Sequence, residues 1–150
     1  MPAKEHNIQG LEKFRSQLKK NDMKATAQRT AVHEAMMELG HACAEDVETW
    51  IRKNSETKIT QASIYNILSQ MADLGIYSSR LSADSKKYFD VSAHPHFHLY
   101  DCVSHRFKDV MNDKLYQDVL ECIGSRRFRG YTIERVDIQF VVRPTGKKKI

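Results

Sequence analysis

An α+β fold in two parts is predicted for this chain of 150 residues, on three observations. Apolar residues recur at helical spacing up to about residue 75. Two short β-prone runs joined by a turn-prone tetrapeptide follow. After residue 96 a smaller stretch combines strand-like runs with one amphipathic helix.

The elements follow in order. Leu11, Phe14 and Leu18 share one face of a first helix. A second starts after Thr26, a good N-cap, carries Val32, Ala35, Met36 and Leu39 on one stripe, and stops at Gly40. A third runs from about Ala44, with Val47 and Ile51 on its stripe. A fourth starts at Thr60, carries Ile64, Ile67, Leu68, Met71 and Leu74, and ends at Gly75. Ile76 to Leu81 and Lys86 to Val91 read as strands around the turn Ser82-Ala83-Asp84-Ser85. Helices of this kind followed by a hairpin predict a winged helix-turn-helix over residues 1–91, whose fourth helix would enter a DNA major groove. Ser92-Ala93-His94-Pro95 is the expected hinge, residues 92–95.

Residues 96–150 form the second part. Phe97 to Val103 and Arg106 to Val110 read as strands around the turn Ser104-His105. Residues 112–123 read as a helix with Leu115, Val119 and Ile123 on its apolar face, closed by Gly124. Tyr131 to Val142 is the longest predicted strand. A unit of this size is small for independent stability, so a second copy is expected to complete its core, making a homodimer.

Composition narrows the function. There are 24 Lys+Arg against 19 Asp+Glu, a net charge of +5. The excess gathers at Arg126, Arg127, Arg129 and the tail Lys147–Lys149, where a basic segment is usually just solvated. No apolar run reaches membrane-spanning length and the first residues lack a signal-like core, so no membrane association and a cytoplasmic setting are expected. Cys43, Cys102 and Cys122 are too few for a four-cysteine zinc site and argue for a reducing compartment. Cys122 reads as a small buried hydrophobe. No glycine-rich phosphate loop or nucleophile motif occurs, so no enzyme is expected.

Two constellations carry chemistry. His96 and His98 alternate and would share a strand face, with Asp90 before them, Asp109 after them and His41 at the loop between helices two and three. Three imidazoles and two carboxylates suit Fe²⁺ or Mn²⁺, with Zn²⁺ able to substitute. The alternative reading is a set of surface polar groups near a domain junction, since His-x-His alone is a weak signal. On the fourth helix, Gln61, Ser63, Tyr65 and Asn66 lie opposite the apolar stripe and suit base edges, whereas Lys24 and Arg29 suit phosphate. Solubility alone would favour Lys and Glu there.

Taken together, these segments resemble the ferric uptake regulator (Fur) family of metal-dependent transcription regulators. Met23 to Arg29 resembles that family's second-helix entry, Gly40 to Val47 its H-P-T-A-E-E-I stretch, and Ile59 to Asn66 its recognition helix. Tyr88-Phe89-Asp90 and His96-Phe97-His98 resemble its hinge and regulatory metal motif. The resemblance implies an N-terminal winged helix, a C-terminal dimerisation domain, a palindromic double-stranded DNA operator and a metal held by His41, Asp90, His96, His98 and Asp109. It implies that Tyr65 contacts bases, that Asn66 takes the adjacent reading position and that Lys24 approaches the minor groove.

Departures from the family pattern point to a branch. Asp101 and Ser104 stand where the first C-x-x-C pair of the usual structural zinc belongs, and the C-terminal pair is absent. Phe97 replaces an acidic residue that a second His/Asp metal site would need. Asp109, and Tyr65-Asn66 in place of Tyr-Arg, resemble the peroxide-sensing PerR branch, in which His41 and His96 would be the oxidised ligands and Cys43 a modulator. The haem-responsive Irr branch also lacks the C-x-x-C pairs, and Ser104-His105 and the lysine tail resemble it; in that case haem is a ligand. A storage or hydrolytic metalloprotein built on the same His/Asp set is the non-regulatory alternative.

Overall fold

The structure is a computed structural model that describes residues 2–92, 96–110, 112–124 and 126–146. The chain divides into two compact units, Met1–Ala93 and His94–Ile150. Residues 93–95 of the expected hinge and the Lys147–Lys149 tail lie outside the described residues.

In the first unit, helices α1 (Pro2–Lys20), α2 (Ala27–Leu39), α3 (Ala44–Asn54) and α4 (Gln61–Asp73) surround one core. Strands β1 (His41–Ala42), β2 (Ser78–Leu81) and β3 (Lys87–Asp90) form an antiparallel sheet in the order β1-β3-β2. The predicted stripes do the packing: Phe14, Leu18, Val32, Met36, Val47, Ile51, Ile64, Leu68 and Met71 are all buried together. Each such side chain contributes about 1.5–3 kcal/mol by leaving water. Leu39 and Leu74, the outermost residues of their stripes, instead remain 37% and 36% exposed at the helix ends. Thr26 and Thr60 cap α2 and α4, each accepting an N–H three residues on at 3.2 Å. Gly40 ends α2 with φ +71°, a conformation that disfavours any side chain.

The hairpin starts later than expected. Ile76 and Tyr77 donate their N–H groups to the Met71 carbonyl and are buried in the core, so β2 begins only at Ser78. The two-residue strand β1, which no sequence pattern marked, adds to β3 with His41 opposite Asp90.

The second unit holds β4 (Phe97–Asp101), β5 (Arg106–Val110), helix α5 (Asp113–Gly124) and β6 (Gln139–Val142). Its sheet order is β5-β4-β6, with β4 antiparallel to β5 and parallel to β6. Phe97 packs on Tyr116 of α5 and edge-on to Phe140. The long strand expected over Tyr131–Val142 is only its last four residues, because β4 pairs with Gln139 to Val142 alone. Tyr131 makes an isolated bridge to Phe128 instead. Cys122, expected to be buried, is exposed on α5.

One buried polar pair is built into the first core. The His33 ring stacks on Phe14 at 3.9 Å and lies 2.6 Å from the Tyr77 hydroxyl. Burial holds His33 neutral, lowering its pKa from 6.5 to about 4, and pushes the Tyr77 phenol up. The phenol therefore keeps its proton, and the hydroxyl and the neutral imidazole share a hydrogen bond. The unfolded chain takes up a proton near pH 6.5 that the folded chain refuses until about pH 4. Stability from this pair is accordingly complete above about pH 6.5 and falls as pH drops toward 4, by about 3 kcal/mol in all. Urea melts between pH 7 and pH 4 should show this slope, and His33→Phe should flatten it.

Candidate functional site

The metal-type residues form two groups, one in each unit. In the first unit the β1–β3 pairing brings His41 and Asp90 face to face. His41 Nε2 lies 3.1 Å from Asp90 Oδ2, and Asp90 is 2% exposed. The other Asp90 oxygen accepts the Ser92 N–H at 2.8 Å. Arg80 of β2 stands on the same sheet face, its Nη2 4.0 Å from Asp90 Oδ2.

In the second unit His98 of β4 is directly opposite Asp109 of β5 in the ladder, and His96 precedes it by two, on the same side. Asp109 Oδ1 lies 3.0 Å from His96 Nε2 and 3.3 Å from His98 Nε2, and the two rings are 4.3 Å apart. One ligand atom from each of these three residues lies within 4.8 Å of the others. Two ring nitrogens and a carboxylate oxygen converge, a donor set that fits a borderline divalent ion.

The structural zinc usual in the resembling family has no such fit. The buried Asp101 carboxylate accepts the Val103 N–H at 2.8 Å, the Ser104 N–H at 3.3 Å and the Ser104 hydroxyl at 2.8 Å. Those hydrogen bonds, the Val103 N–H first, hold the Asp101 pKa below the usual carboxylate range. His105, in the same turn, is at φ +56° with Nδ1 2.8 Å from the Tyr100 hydroxyl. A side-chain-to-backbone clasp thus closes the β4–β5 turn.

Cys43 is the N-cap of α3 and is buried. Its N–H and its thiol both approach Asp46 Oδ2, at 3.1 and 3.2 Å. Burial pushes the thiol pKa up, so it stays protonated. Cysteine is a poor N-cap, and Asp46 makes up the deficit by accepting the Cys43 N–H.

On α4 the polar face stands out from the core as its spacing predicts. Gln61, Tyr65 and Asn66 are exposed, with Tyr65 at 44%. Ser63 is half-buried, its N–H and hydroxyl both engaged with the Thr60 cap. Lys24 is exposed, but Arg29 is a bracket: its guanidinium donates to the Lys24 carbonyl at 2.9 Å and to Gln70 Oε1 at 3.4 Å. It thereby ties the loop before α2 to α4. Lys87 on β3 escaped the sequence reading. Its ammonium lies 5.7 Å from the centroid of the Tyr65 ring, and Tyr65 meets Phe89 edge-on at 6.1 Å. Alternation along β3, which places residues 87 and 89 on one face, was the available signal.

A model of the ferric uptake regulator family matches residues 20–140. The chain belongs to the ferric uptake regulator family. Members of this family are metal-responsive transcription regulators. No curated protein matches at the sequence level. Among solved structures, the Vibrio cholerae ferric uptake regulator is 21% identical, covering 87% of this chain and 98% of its own, with a TM-score of 0.71. The Pseudomonas aeruginosa ferric uptake regulator, solved with manganese, is 19% identical over 87% and 97%, with a TM-score of 0.68. The Campylobacter jejuni peroxide stress regulator is 21% identical over 89% and 97%, with a TM-score of 0.64. At these identities the likeness establishes the fold, an N-terminal winged helix followed by a small α+β unit.

The Asp101 clasp is open to a direct test. A depressed folded pKa means its contribution is present above the ordinary carboxylate range and lost as pH falls through the lower folded value. Asp101→Ala should therefore lower the melting temperature at pH 7, and the gap to the parent should narrow in acid. Circular-dichroism melts at a series of pH values check both.

Proposed function

We propose that this Fur-family protein is a homodimeric, metal-dependent DNA-binding repressor that responds to peroxide. The observation that carries this reading is the division of the donor set. His41 and Asp90 pair in the winged-helix unit, and His96, His98 and Asp109 converge in the other. One divalent ion taking ligands from both would tie the angle of the winged helices to metal supply. Neutral imidazole and carboxylate ligands suit Fe²⁺ and Mn²⁺, and Zn²⁺ as a substitute. Bound iron would supply redox reactivity toward peroxide, and His41 and His96 are the ligands proposed to be oxidised.

The DNA-facing residues in this reading are Gln61, Ser63, Tyr65 and Asn66 on α4, with Lys24 toward phosphate or minor groove and Arg29 acting mainly by holding the Lys24 loop. A palindromic operator follows from a two-fold dimer. Support for the dimer comes from the second unit's apolar surface: Phe128, Tyr131 and Val141 are 58%, 83% and 55% exposed, and β6 is an edge strand. A second copy would cover them. Membership of the family supports a protein that acts on DNA in the cytoplasm; no described helix is long and apolar enough to cross a membrane.

Two variants separate the parts of this proposal. His96→Ala should abolish Mn²⁺-dependent operator binding, and unchanged affinity would overturn the metal role. Tyr65→Ala should keep Mn²⁺ binding while lowering operator affinity by about five- to a hundredfold, the scale of one to three kcal/mol for a lost base contact. An anaerobic DNA titration with no metal, Fe²⁺, Mn²⁺ or haem then reads the signal. Binding with Fe²⁺ that peroxide destroys, beside Mn²⁺ binding that it spares, is the expected result. Release by haem with indifference to peroxide would instead assign the Irr-like role.

A further inference from the structure

The cation beside Asp90 has no part in the reading above. Arg80 lies on β2 with its side chain only 10% exposed, and its Nη2 sits 4.0 Å from Asp90 Oδ2. This is the same oxygen that faces His41. A guanidinium this well covered is held by design of the sheet rather than by chance. Ser78, two residues earlier on β2, is opposite Asp90 in the ladder, and Tyr88 is opposite Arg80. Residues 78, 80, 88 and 90 therefore share one face. The Ser78 hydroxyl accepts from Arg80 Nη2 at 3.4 Å and donates to the Ser92 carbonyl at 3.1 Å.

We propose that Arg80 sets the metal concentration at which the site fills, because its fixed positive charge competes with the ion for Asp90. The inference rests on the reading of His41 and Asp90 as metal ligands. A buried carboxylate without a cation is costly, so Arg80 stabilises Asp90 in the metal-free protein. A divalent ion arriving at the same oxygen meets that charge and must share or displace it. Arg80 is not needed to aim the carboxylate. Asp90 Oδ1 is already fixed by the Ser92 N–H at 2.8 Å, and the residue is locked in β3 between β1 and β2. Removing the guanidinium should therefore leave the ligand in place and remove only the repulsion.

The two consequences have opposite signs, which separates this role from a merely structural one. The test uses full-length metal-free protein: Mn²⁺ titration calorimetry and thermal melting without metal, on the parent, Arg80→Gln and Arg80→Lys. Arg80→Gln should bind Mn²⁺ about tenfold more tightly, the order expected for removing one partly screened unit charge, and should melt at a lower temperature without metal. Arg80→Lys keeps the charge but not the planar reach to both Ser78 and Asp90, and should tighten binding only about threefold. If Arg80→Gln does not fold without metal, Arg80→Lys carries the test alone. Parent-like or weaker Mn²⁺ affinity in a folded variant overturns the role of Arg80 and leaves the metal site standing. A parent that binds no Mn²⁺ overturns the site itself and this inference with it.

Discussion

The pairing of β1 with β3 is the constraint on which the winged-helix unit turns. It is two residues long, yet it sets His41 opposite Asp90 and Ala42 opposite Phe89. The Val91 N–H donates to the Gly40 carbonyl at 3.2 Å, so the glycine that ends α2 also closes this ladder. Cys43, the next residue after β1, caps α3. The end of one helix, the start of the next and the last strand of the wing are thus fastened within four residues of chain.

Alternation along β3 gives that pairing its functional meaning. Asp90 and Tyr88 face one side of the sheet, where His41 and Arg80 stand. Phe89 and Lys87 face the other, where Phe89 enters the core and both approach Tyr65 of α4. In the proposed function, this strand would carry ligand chemistry on one face and pack against the reading helix on the other, a short mechanical path between metal and DNA.

The same economy governs the buried polar groups. His33 is answered by Tyr77, Asp90 by the Ser92 N–H with His41 and Arg80, and Asp101 by the turn it closes. Asp101 shows how the turn holds without thiols: a carboxylate gathering two backbone N–H groups and a hydroxyl fixes the chain at the point where the resembling family uses metal. These groups differ in purpose. The first and last stabilise the fold around them, whereas Asp90 is a ligand in the proposed function.

The periodic features of this protein were determined by its sequence. The stripes of α2, α3 and α4, the threonine caps and the hairpin turn are local, and a spacing of three to four residues or a capping hydroxyl is enough to specify them. The polar face of α4 was legible for the same reason, since the apolar stripe defines its opposite. His96, His98 and Asp109 were legible as candidates because alternation places the two imidazoles together. Tertiary structure decided what depends on partners distant in the chain. β1 exists only because β3 lies beside it, and Arg80 became an actor only when the ladder set it on the face of Asp90. That Arg29 also brackets the loop before α2 to α4 shows only once Gln70 is within reach. The run from Tyr131 to Val142 has strand composition throughout, but strand structure forms only where β4 offers hydrogen bonds. Composition supplies the propensity for such pairings, and the fold alone supplies the partner.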